Sequence, residues 1–249
     1  MIVLKSDHEI ALMRQAGRIV AVTLAELAQQ VAPGVNTAHL NALAERIIAK
    51  HNARPTFKGY RGFPAAITTS INAELVHGIP SPRRVLREGD IISIDCGATY
   101  KGWVGDAAVT VPVGHILPQA QKLLQVTEQS LYEGIRQAQI GNRSGDISAA
   151  IQAYVEAHQF SVVKEYTGHG VGRNMHEDPQ VPNYGKKRRG MPLKKGMTIA
   201  LEPMVNMGSP KTRVLGDNWT VVTQDGQLSA HFEHTIVILN GEPEILTRL

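Results

Sequence analysis

Two aspartates that flank a predicted β-hairpin turn are the first residues here whose types and spacing could do chemistry. Asp95 closes an apolar, β-branched run and Asp106 lies at the start of another, while residues 99–102 between them are typical of a hairpin turn. A turn centred between Tyr100 and Lys101 places the two aspartates opposite each other on neighbouring strands. Like charges so placed are destabilising, and unpaired carboxylates among Ile, Ala and Val are costly to bury. We therefore expect a positive charge between Asp95 and Asp106.

A second pair of acids recurs at a constant offset from the first. Glu202 lies 107 residues after Asp95, and the residues that lead up to the two acids are similar. Residues 33–37 and residues 140–144 resemble each other at the same offset of 107. Two separated segments that share one offset predict an internal duplication.

Asp106 and Glu233 extend this correspondence, since the six residues that begin at each acid are alike. We predict a single domain over residues 1–249, with duplicated halves at about 1–110 and about 111–249. Duplicated halves usually pack about a pseudo-two-fold axis, which would bring all four acids together. The alternative is two independent structural hairpins with surface acids.

A histidine changes which metal ions such an acidic cluster would favour. Four carboxylates alone would suit calcium or magnesium. His169 follows a predicted strand and lies within residues 167–172, where glycines on both sides allow the backbone to approach closely and turn sharply. An oxygen-rich set with one imidazole suits Mn(II), Fe(II) or Co(II), with zinc as an alternative, and has enough acids to hold two ions. The alternative for a lone histidine is a structural core residue.

Composition and the remaining motifs exclude several other classes. The chain has 249 residues with 43% hydrophobic and 19% charged residues, which is ordinary for a globular protein. No apolar run approaches the ~20 residues that span a bilayer, and the N-terminus lacks a signal-peptide pattern. The single cysteine, Cys96, fits a reducing cytosol and is interpreted as a core residue. The glycine-rich stretch is not a dinucleotide fingerprint, because that pattern fails at Arg173. The net charge of +4 does not by itself indicate a nucleic-acid partner.

The elements that must position these residues alternate between helix and strand. A capping box at Ser6 and Glu9 opens the first predicted helix. The predicted helices run from there toward Gln30, from Asn36 or Thr37 to about His51, from Pro118 to about Gln139, and from about Gly145 to His158. Besides the hairpin, strands are predicted near residues 66–71, 162–166, 197–202, 220–223 and 232–239.

Several motifs, in order along essentially the whole chain, resemble those of type I methionine aminopeptidases. They are Asn72-Ala-Glu-Leu-Val-His77-Gly-Ile-Pro, Asp95-Cys-Gly-Ala with Asp106-Ala-Ala, Gly168-His-Gly-Val-Gly with Met175-His-Glu-Asp-Pro, Glu202-Pro-Met and His231-Phe-Glu233-His. The resemblance implies an α+β pita-bread fold of the aminopeptidase and creatinase kind, with two pseudo-symmetric halves around a dinuclear metal site. It also implies a hydrolase that excises the N-terminal methionine of nascent proteins.

The resemblance also implies roles for individual residues. The metal ligands would be Asp95, Asp106, His169, Glu202 and Glu233. Asp106 and Glu233 would bridge two divalent ions (cobalt, manganese or iron), which lower the pKa of a shared water toward neutrality so that hydroxide attacks the peptide. Glu202 would take the proton and help return it to the leaving amine. His77 and His176 would be catalytic residues that donate hydrogen bonds to the substrate carbonyl or its oxyanion. The alternative for both is a solvent-exposed loop histidine.

Specificity requires a pocket for an unbranched thioether, which aromatic and sulfur contacts fill best. Matching positions of the family give its lining as Phe57, Tyr60, Phe63, Thr68, His77, Met175 and Trp219. Several bacterial relatives have cysteine where Phe57 and Thr68 stand, and often Phe where Met175 stands, so the resemblance fixes the apolar character of the pocket and not its shape. The family also often binds a monovalent cation, Na⁺ or K⁺, through a loop that matches Asn72, Glu74 and Ser229.

The most basic stretch, residues 186–189 followed by Lys194 and Lys195, has two interpretations. It is either a solvated loop or a surface that docks on ribosomal RNA, where this family meets nascent chains. Lys211 and Arg213 lie in the matching charged loop. The family expectation is a cytoplasmic monomer that acts on nascent polypeptide N-termini and does not contact a membrane.

Two other functions share the predicted fold. Proline-specific (X-Pro) peptidases normally carry an extra N-terminal domain, whereas this chain begins directly at the catalytic region. Non-catalytic binding homologues have lost ligands, whereas all five are present here. The lack of an insertion between His176 and Glu202, and of a finger-bearing N-terminal extension, also favours a compact bacterial-type enzyme.

Overall fold

The computed structural model describes residues 2–249, which contain four α-helices and fifteen strands. The helices are α1 (Asp7–Gln30), α2 (Thr37–Lys50), α3 (Pro118–Arg136) and α4 (Ser144–Ala157), and a short 3-10 turn spans Tyr60–Gly62. The strands are β1 (Arg54–Pro55), β2 (Ile67–Ile71), β3 (Glu74–Val76), β4 (Ile91–Tyr100), β5 (Trp103–Pro112), β6 (Ser161–Val162), β7 (Thr167–Gly170), β8 (Glu177–Pro182), β9 (Thr198–Leu201), β10 (Met204–Asn206), β11 (Thr212–Val214), β12 (Val221–Thr223), β13 (Ser229–His231), β14 (Glu233–Val237) and β15 (Glu244–Ile245).

Nine of these strands form one antiparallel sheet that joins the early and late parts of the chain. Its main path is β1-β4-β5-β14-β9-β7-β8, while β2 pairs with β4 and β15 pairs with β14. The other strands form two three-stranded sheets, β13-β10-β6 and β11-β12-β3. The pairing of β5 with β14 matters most for function, because it brings the first hairpin next to the last long strand.

An apolar core with a helix pair lies at each end of the large sheet. Leu24 of α1 and Ile48 of α2 belong to a buried cluster with Ile94 of β4. Leu131 of α3 and Ile151 of α4 belong to another, which includes side chains of β9 and β14. This is the arrangement that an internal duplication requires, and the duplication itself stays a prediction.

Local sequence signals set several helix ends where they were predicted. Glu9 N donates to Ser6 Oγ at 3.4 Å, and Glu9 Oε2 accepts from Ser6 N at 2.9 Å, which completes the capping box. Asn36 caps α2 by accepting from His39 N at 2.9 Å. Pro118 begins α3, but this helix ends at Arg136 instead of running to about Gln139. None of the helices within residues 2–249 is both long and apolar enough to cross a membrane.

The strand predicted at residues 162–166 is wrong. The chain instead forms β6, which pairs with β10 in a small sheet, and enters the large sheet only at Thr167. The physical reason is that Val163 N already donates to Met204 O at 3.0 Å, which holds this segment on the small sheet.

Candidate metal centre and pocket

The β4–β5 hairpin sets the relative positions of the two aspartates. Its turn is Lys101–Gly102, with φ of +48° and +80°, as in a type I′ turn. Tyr100 therefore pairs with Trp103, so that Asp95 lies opposite Ala108 and Asp106 opposite Gly97. The prediction placed the two acids roughly opposite each other; that register is wrong, because the turn is centred one residue later than assumed.

The corrected register keeps both acids on one face of the sheet as diagonal neighbours. Diagonal neighbours are about 7–8 Å apart, against about 5 Å for facing residues, so this register leaves more room between the carboxylates. Ala108 also pairs with Glu233 on β14, which forms a row of Asp95, Ala108 and Glu233 across three strands. The small side chain of Ala108 in the middle of this row leaves space for whatever the two outer acids hold.

The remaining two predicted ligands approach from the other side of β14. Glu202 directly follows β9, which pairs with β14, and His169 on β7 pairs with Ala200 of β9. A Cβ at Gly168 or Gly170 would collide with backbone carbonyls of the neighbouring strands, so the close approach expected of these glycines is present. These close approaches hold His169 at a strand position from which its side chain reaches the acids.

Interatomic distances place His169 among the carboxylates. Its Nε2 lies 3.4 Å from Glu202 Oε1 and 4.0 Å from Asp106 Oδ2. Single ligand atoms of Asp106, His169 and Glu233 all lie within 4.8 Å of one another. His169 Nδ1 lies 2.9 Å from Gly170 O, so the ring donates there and directs the lone pair of Nε2 at the acids. This is the tautomer that binds a metal ion.

Buried oxygen atoms in this cluster lack hydrogen-bond partners. Asp95 Oδ1, Asp106 Oδ1 and Glu233 Oε1 are buried without one, as is His231 Nε2. Burial raises the pKa of Asp95 to about 7. Burial, and then the neighbouring carboxylates, raise the pKa values of Asp106, Glu202 and Glu233 well above their usual range. Carboxylates so placed are stable only beside positive charge, and the oxygen-rich set with one imidazole fits divalent transition-metal ions.

His77 and His176 both line the cavity beside this cluster, where His77 is partly buried and His176 is exposed. His176 Nδ1 lies 2.8 Å from Tyr60 Oη, and its ring centroid is 4.3 Å from that of His169. Burial, and then the guanidinium of Arg61, lower the pKa of His176. Burial, and then His176, lower the pKa of His77 to about 4, so both rings are neutral at pH 7.

A cavity of about 300 Å³ opens beside the acids. The seven residues predicted to line a methionine pocket all lie on its wall, namely Phe57, Tyr60, Phe63, Thr68, His77, Met175 and Trp219. The rings of Phe63 and Trp219 meet edge to face with centroids 5.1 Å apart. His176 and the five predicted metal ligands line the same cavity. The structure thus brings the predicted pocket and the predicted catalytic groups together, and their roles stay predictions.

Four residues near the cavity were not anticipated. Tyr166, Thr167 and Arg61 line it, the first two because the chain enters β7 just before His169. His231 lies beside the acids, with Nε2 3.9 Å from Glu233 Oε2 and 4.0 Å from Glu202 Oε2. The usable signal for His231 was its position two residues before Glu233, since alternate residues of an extended chain share a face.

The predicted monovalent-cation residues are only partly brought together. Ser229 N donates to Asn72 O at 2.9 Å, so these two residues are in contact. The carboxylate of Glu74 instead accepts from Ile71 N and pairs with Arg84. Binding of Na⁺ or K⁺ in this loop stays a prediction.

The basic residues lie on exposed loops. Residues 186–189 are exposed between β8 and β9, as are Lys194 and Lys195. Lys211 and Arg213 are exposed at β11. These positions suit either a solvated surface or a polyanionic partner.

Comparisons with known proteins agree with this geometry. The model of metallopeptidase family M24 matches residues 11–240. The chain is 56% identical to methionine aminopeptidase 1 of Bacillus subtilis over 249 residues, which is 100% of both chains. The crystal structure of methionine aminopeptidase from Thermotoga maritima superposes with a TM-score of 0.99 at 46% identity, over 100% of both chains. The prolidase of Pyrococcus horikoshii superposes at 0.81 but is 21% identical, with 64% of that chain covered, so it shares the fold alone. The predicted α+β pita-bread fold is confirmed.

Proposed function

The chain belongs to metallopeptidase family M24, and on that premise we propose that it hydrolyses the peptide bond after an N-terminal methionine. The observation that carries this proposal is the convergence of four buried carboxylates and one imidazole on a cavity of about 300 Å³ with aromatic walls. Asp95, Asp106, His169, Glu202 and Glu233 would hold two divalent ions, with Asp106 and Glu233 placed between the other ligands. Manganese, iron(II) and cobalt suit this donor set, with zinc as an alternative.

Glu202 is the group that moves the proton. When bound, a pair of divalent ions supplies Lewis acidity and lowers the pKa of water toward neutrality. Glu202 lies at the edge of the ligand set, with Oε1 3.4 Å from His169 Nε2, and lines the cavity in which the peptide must lie. It takes the proton from the attacking water and returns it to the leaving amine, the role of a general acid–base carboxylate within reach of both.

His176 and His77 stabilise the oxygen on which negative charge develops. Tyr60 Oη lies 2.8 Å from His176 Nδ1, and we assign the hydroxyl as the donor, which places the proton of His176 on Nε2. That N–H donates to the substrate carbonyl oxygen, and its contribution grows as charge develops there. His77 lies on the same cavity and assists from the side of Trp219, where the two ring centroids are 6.5 Å apart.

The methionine side chain occupies the aromatic part of the cavity. Thioether sulfur makes favourable contacts with aromatic rings, and Tyr60, Phe63 and Trp219 supply three of them. The buried Met175 adds a second polarisable sulfur to this wall. The pocket therefore selects a long, unbranched side chain.

The wider setting follows from the same proposal. The protein acts in the cytoplasm as a monomer, where a reduced Cys96 is expected. Its exposed basic loops bring it to ribosomal RNA near emerging chains, and high salt weakens that contact. The backbone around Asn72, Glu74 and Ser229 would hold one Na⁺ or K⁺, for which its carbonyl oxygens are suitable ligands.

A peptide assay after metal loading tests the proposal. The metal-free protein is loaded with Mn²⁺ or Co²⁺, and Met-Gly-Met-Met and an X-Pro peptide are then offered in parallel. We expect free methionine from the first peptide and no cleavage of the second. Cleavage of the X-Pro peptide alone would indicate a prolidase-type enzyme. Cleavage of neither by fully loaded protein would indicate a binding homologue.

A further inference from the structure

His231 lies beside the proposed metal ligands and has no part in the reaction proposed above. Its Nε2 is buried and has no hydrogen-bond partner. This atom lies 4.0 Å from Glu202 Oε2 and 3.9 Å from Glu233 Oε2, just beyond hydrogen-bond distance from both. A buried nitrogen without a partner costs free energy, so its position between two carboxylates requires an explanation.

The backbone of His231 is held firmly in this position. His231 N donates to Thr110 Oγ1 at 2.9 Å, and that hydroxyl donates to His231 O at 2.7 Å. His231 also pairs with Met204 across β13 and β10. Because Thr110 lies on β5 with Asp106, these bonds tie His231 to the strand that carries one of the proposed ligands.

The two oxygens of Glu202 face two different histidines. Oε1 lies 3.4 Å from the Nε2 of His169, whose other ring nitrogen donates to a backbone carbonyl. Oε2 lies on the side of His231. The group whose ligand atoms lie within 4.8 Å of one another contains His169 and does not contain His231. The two imidazoles therefore have different surroundings.

The electrostatics of each position favour different tautomers. A lone pair on Nε2 of His231 would face the lone pairs of two carboxyl oxygens, Glu202 Oε2 and Glu233 Oε2, whereas an N–H would be attracted to both. Metal ligands in proteins are commonly oriented by such outer hydrogen bonds, and loss of one costs about 10–100-fold in metal affinity or activity.

We propose that His231 is a positioning residue whose Nε2–H is shared between Glu202 Oε2 and Glu233 Oε2. It holds Oε1 of Glu202 toward the cavity and keeps both carboxylates in the geometry that binds metal. The inference rests on the proposed function, because it gives Glu202 its orientation as the proton-transfer group.

Two substitutions separate the hydrogen bond from the volume of the ring. His231→Leu removes the donor, and His231→Gln replaces it with an amide N–H of similar reach. We expect His231→Leu to lower the Co²⁺ affinity of metal-free protein, by titration calorimetry, and kcat by about 10–100-fold each. We expect KM to stay within about twofold, because the peptide does not contact His231. His231→Gln should keep most of the Co²⁺ affinity and most of the kcat that His231→Leu loses.

His234→Gln is the matched control. His234 lies three residues later, where its Nδ1 contacts Thr247 Oγ1 at 2.9 Å, and it does not line the cavity. This variant should keep the Co²⁺ affinity and kcat of the unchanged protein. Unfolding temperatures of the metal-free variants show whether each one folds.

Two results would overturn the proposal. The first is a folded His231→Leu variant that binds Co²⁺ as tightly as the unchanged protein. The second is a His231→Gln variant that loses as much as His231→Leu, together with one bound ion, since His231 would then be a direct ligand. Calorimetry does not require turnover. If the unchanged protein binds Co²⁺ but releases no methionine, the proposed function is refuted, while the Co²⁺ affinities of the His231 variants still test the role of His231.

Discussion

The two sides of the cavity differ in how far the chain satisfies its own polar groups. The acid floor comprises Asp95, Asp106, His169, Glu202 and Glu233, and the aromatic wall comprises Tyr60, Phe63, His77, His176 and Trp219. Three carboxylate oxygens of the floor are buried without a partner. In the wall, Tyr60 and His176 are hydrogen-bonded, and the rings of Phe63 and Trp219 pack edge to face. None of the five wall residues has a buried polar side-chain atom without a partner among residues 2–249, whereas three floor residues do, as expected of groups that bind positive charge from outside the chain.

This difference explains why substitutions on the two sides should fail in different ways. Under the proposed function, changes to the floor would remove charge that holds metal or moves protons, so they should act on kcat and metal affinity. Changes to the wall remove contacts with a neutral side chain, so they should act mainly on KM. His176 is the exception, because it lies in the wall while the proposed function gives it a part in the reaction, as a donor through Nε2–H.

Glu202→Gln should give the largest effect. The amide has the same shape but cannot accept the proton from water, so we expect kcat to fall by about 10²–10⁴-fold. The measurement is methionine release by protein whose bound metal has been quantified in the same sample. Normal kcat in a metal-loaded variant would remove Glu202 from this role. Loss of metal together with activity would instead show that Glu202 acts mainly as a ligand.

His176→Ala should give the next largest effect. Removal of one donor to the developing oxyanion costs about 10²–10³-fold in kcat. Tyr60→Phe keeps the ring of Tyr60 but removes the hydrogen bond to His176 Nδ1. We expect this variant to lose less than His176→Ala, with little change in metal content. An equal loss in both variants would mean that Tyr60 contacts the substrate itself.

The sequence predicted the members of the cavity better than their relative placement. Ser6 and Glu9 determine the start of α1 by a local signal, and that boundary was correct. The relation of Asp95 to Asp106 was wrong because it depends on where the turn is centred, and Gly102 shifts this centre by one residue. His231 was assigned no role, because its place two residues before Glu233 puts it on the same face but does not show that Glu202 and Thr110, both distant in sequence, lie beside it.

The pH dependence of metal-free stability is a smaller effect with a defined sign. The pKa of Asp95 rises from 3.8 to about 7 on folding, so its stabilising contribution is complete below about pH 4 and is lost as pH rises through 7. His77 and His169 have pKa values lowered from 6.5 to about 4, so their contributions are present above pH 6.5 and are lost toward pH 4. Between pH 6.5 and 8, the carboxyl groups of the acid floor therefore dominate the change in the free energy of unfolding of the metal-free protein.

We expect the unfolding temperature of metal-free protein to fall between pH 6.5 and 8. Metal-loaded protein should show the opposite trend or none, because ions bind the deprotonated carboxylates more tightly as pH rises. Scanning calorimetry of both forms in matched buffers measures this difference. Asp95→Asn removes one of the carboxyl groups with a raised pKa, so the unfolding temperature of the metal-free variant should depend less steeply on pH. Identical slopes for the two forms would contradict a floor that metal neutralises.

Trp219→Ala should give the smallest effect and the clearest test of the aromatic wall. Its indole lines the pocket, and a contact between a thioether sulfur and an aromatic ring is worth about 0.3–1.5 kcal/mol, so KM for a methionine peptide should rise about 2–12-fold with little change in kcat. For a norleucine peptide, which has a methylene in place of the sulfur, the substitution should raise KM less than it does for the methionine peptide. Phe63→Leu should show the same pattern, and the double variant should lose less than the product of the two, because the residues share one contact. If Trp219→Ala instead lowers kcat as much as His176→Ala does, then substitutions in the wall do not act mainly on KM, which contradicts the proposed difference between wall and floor.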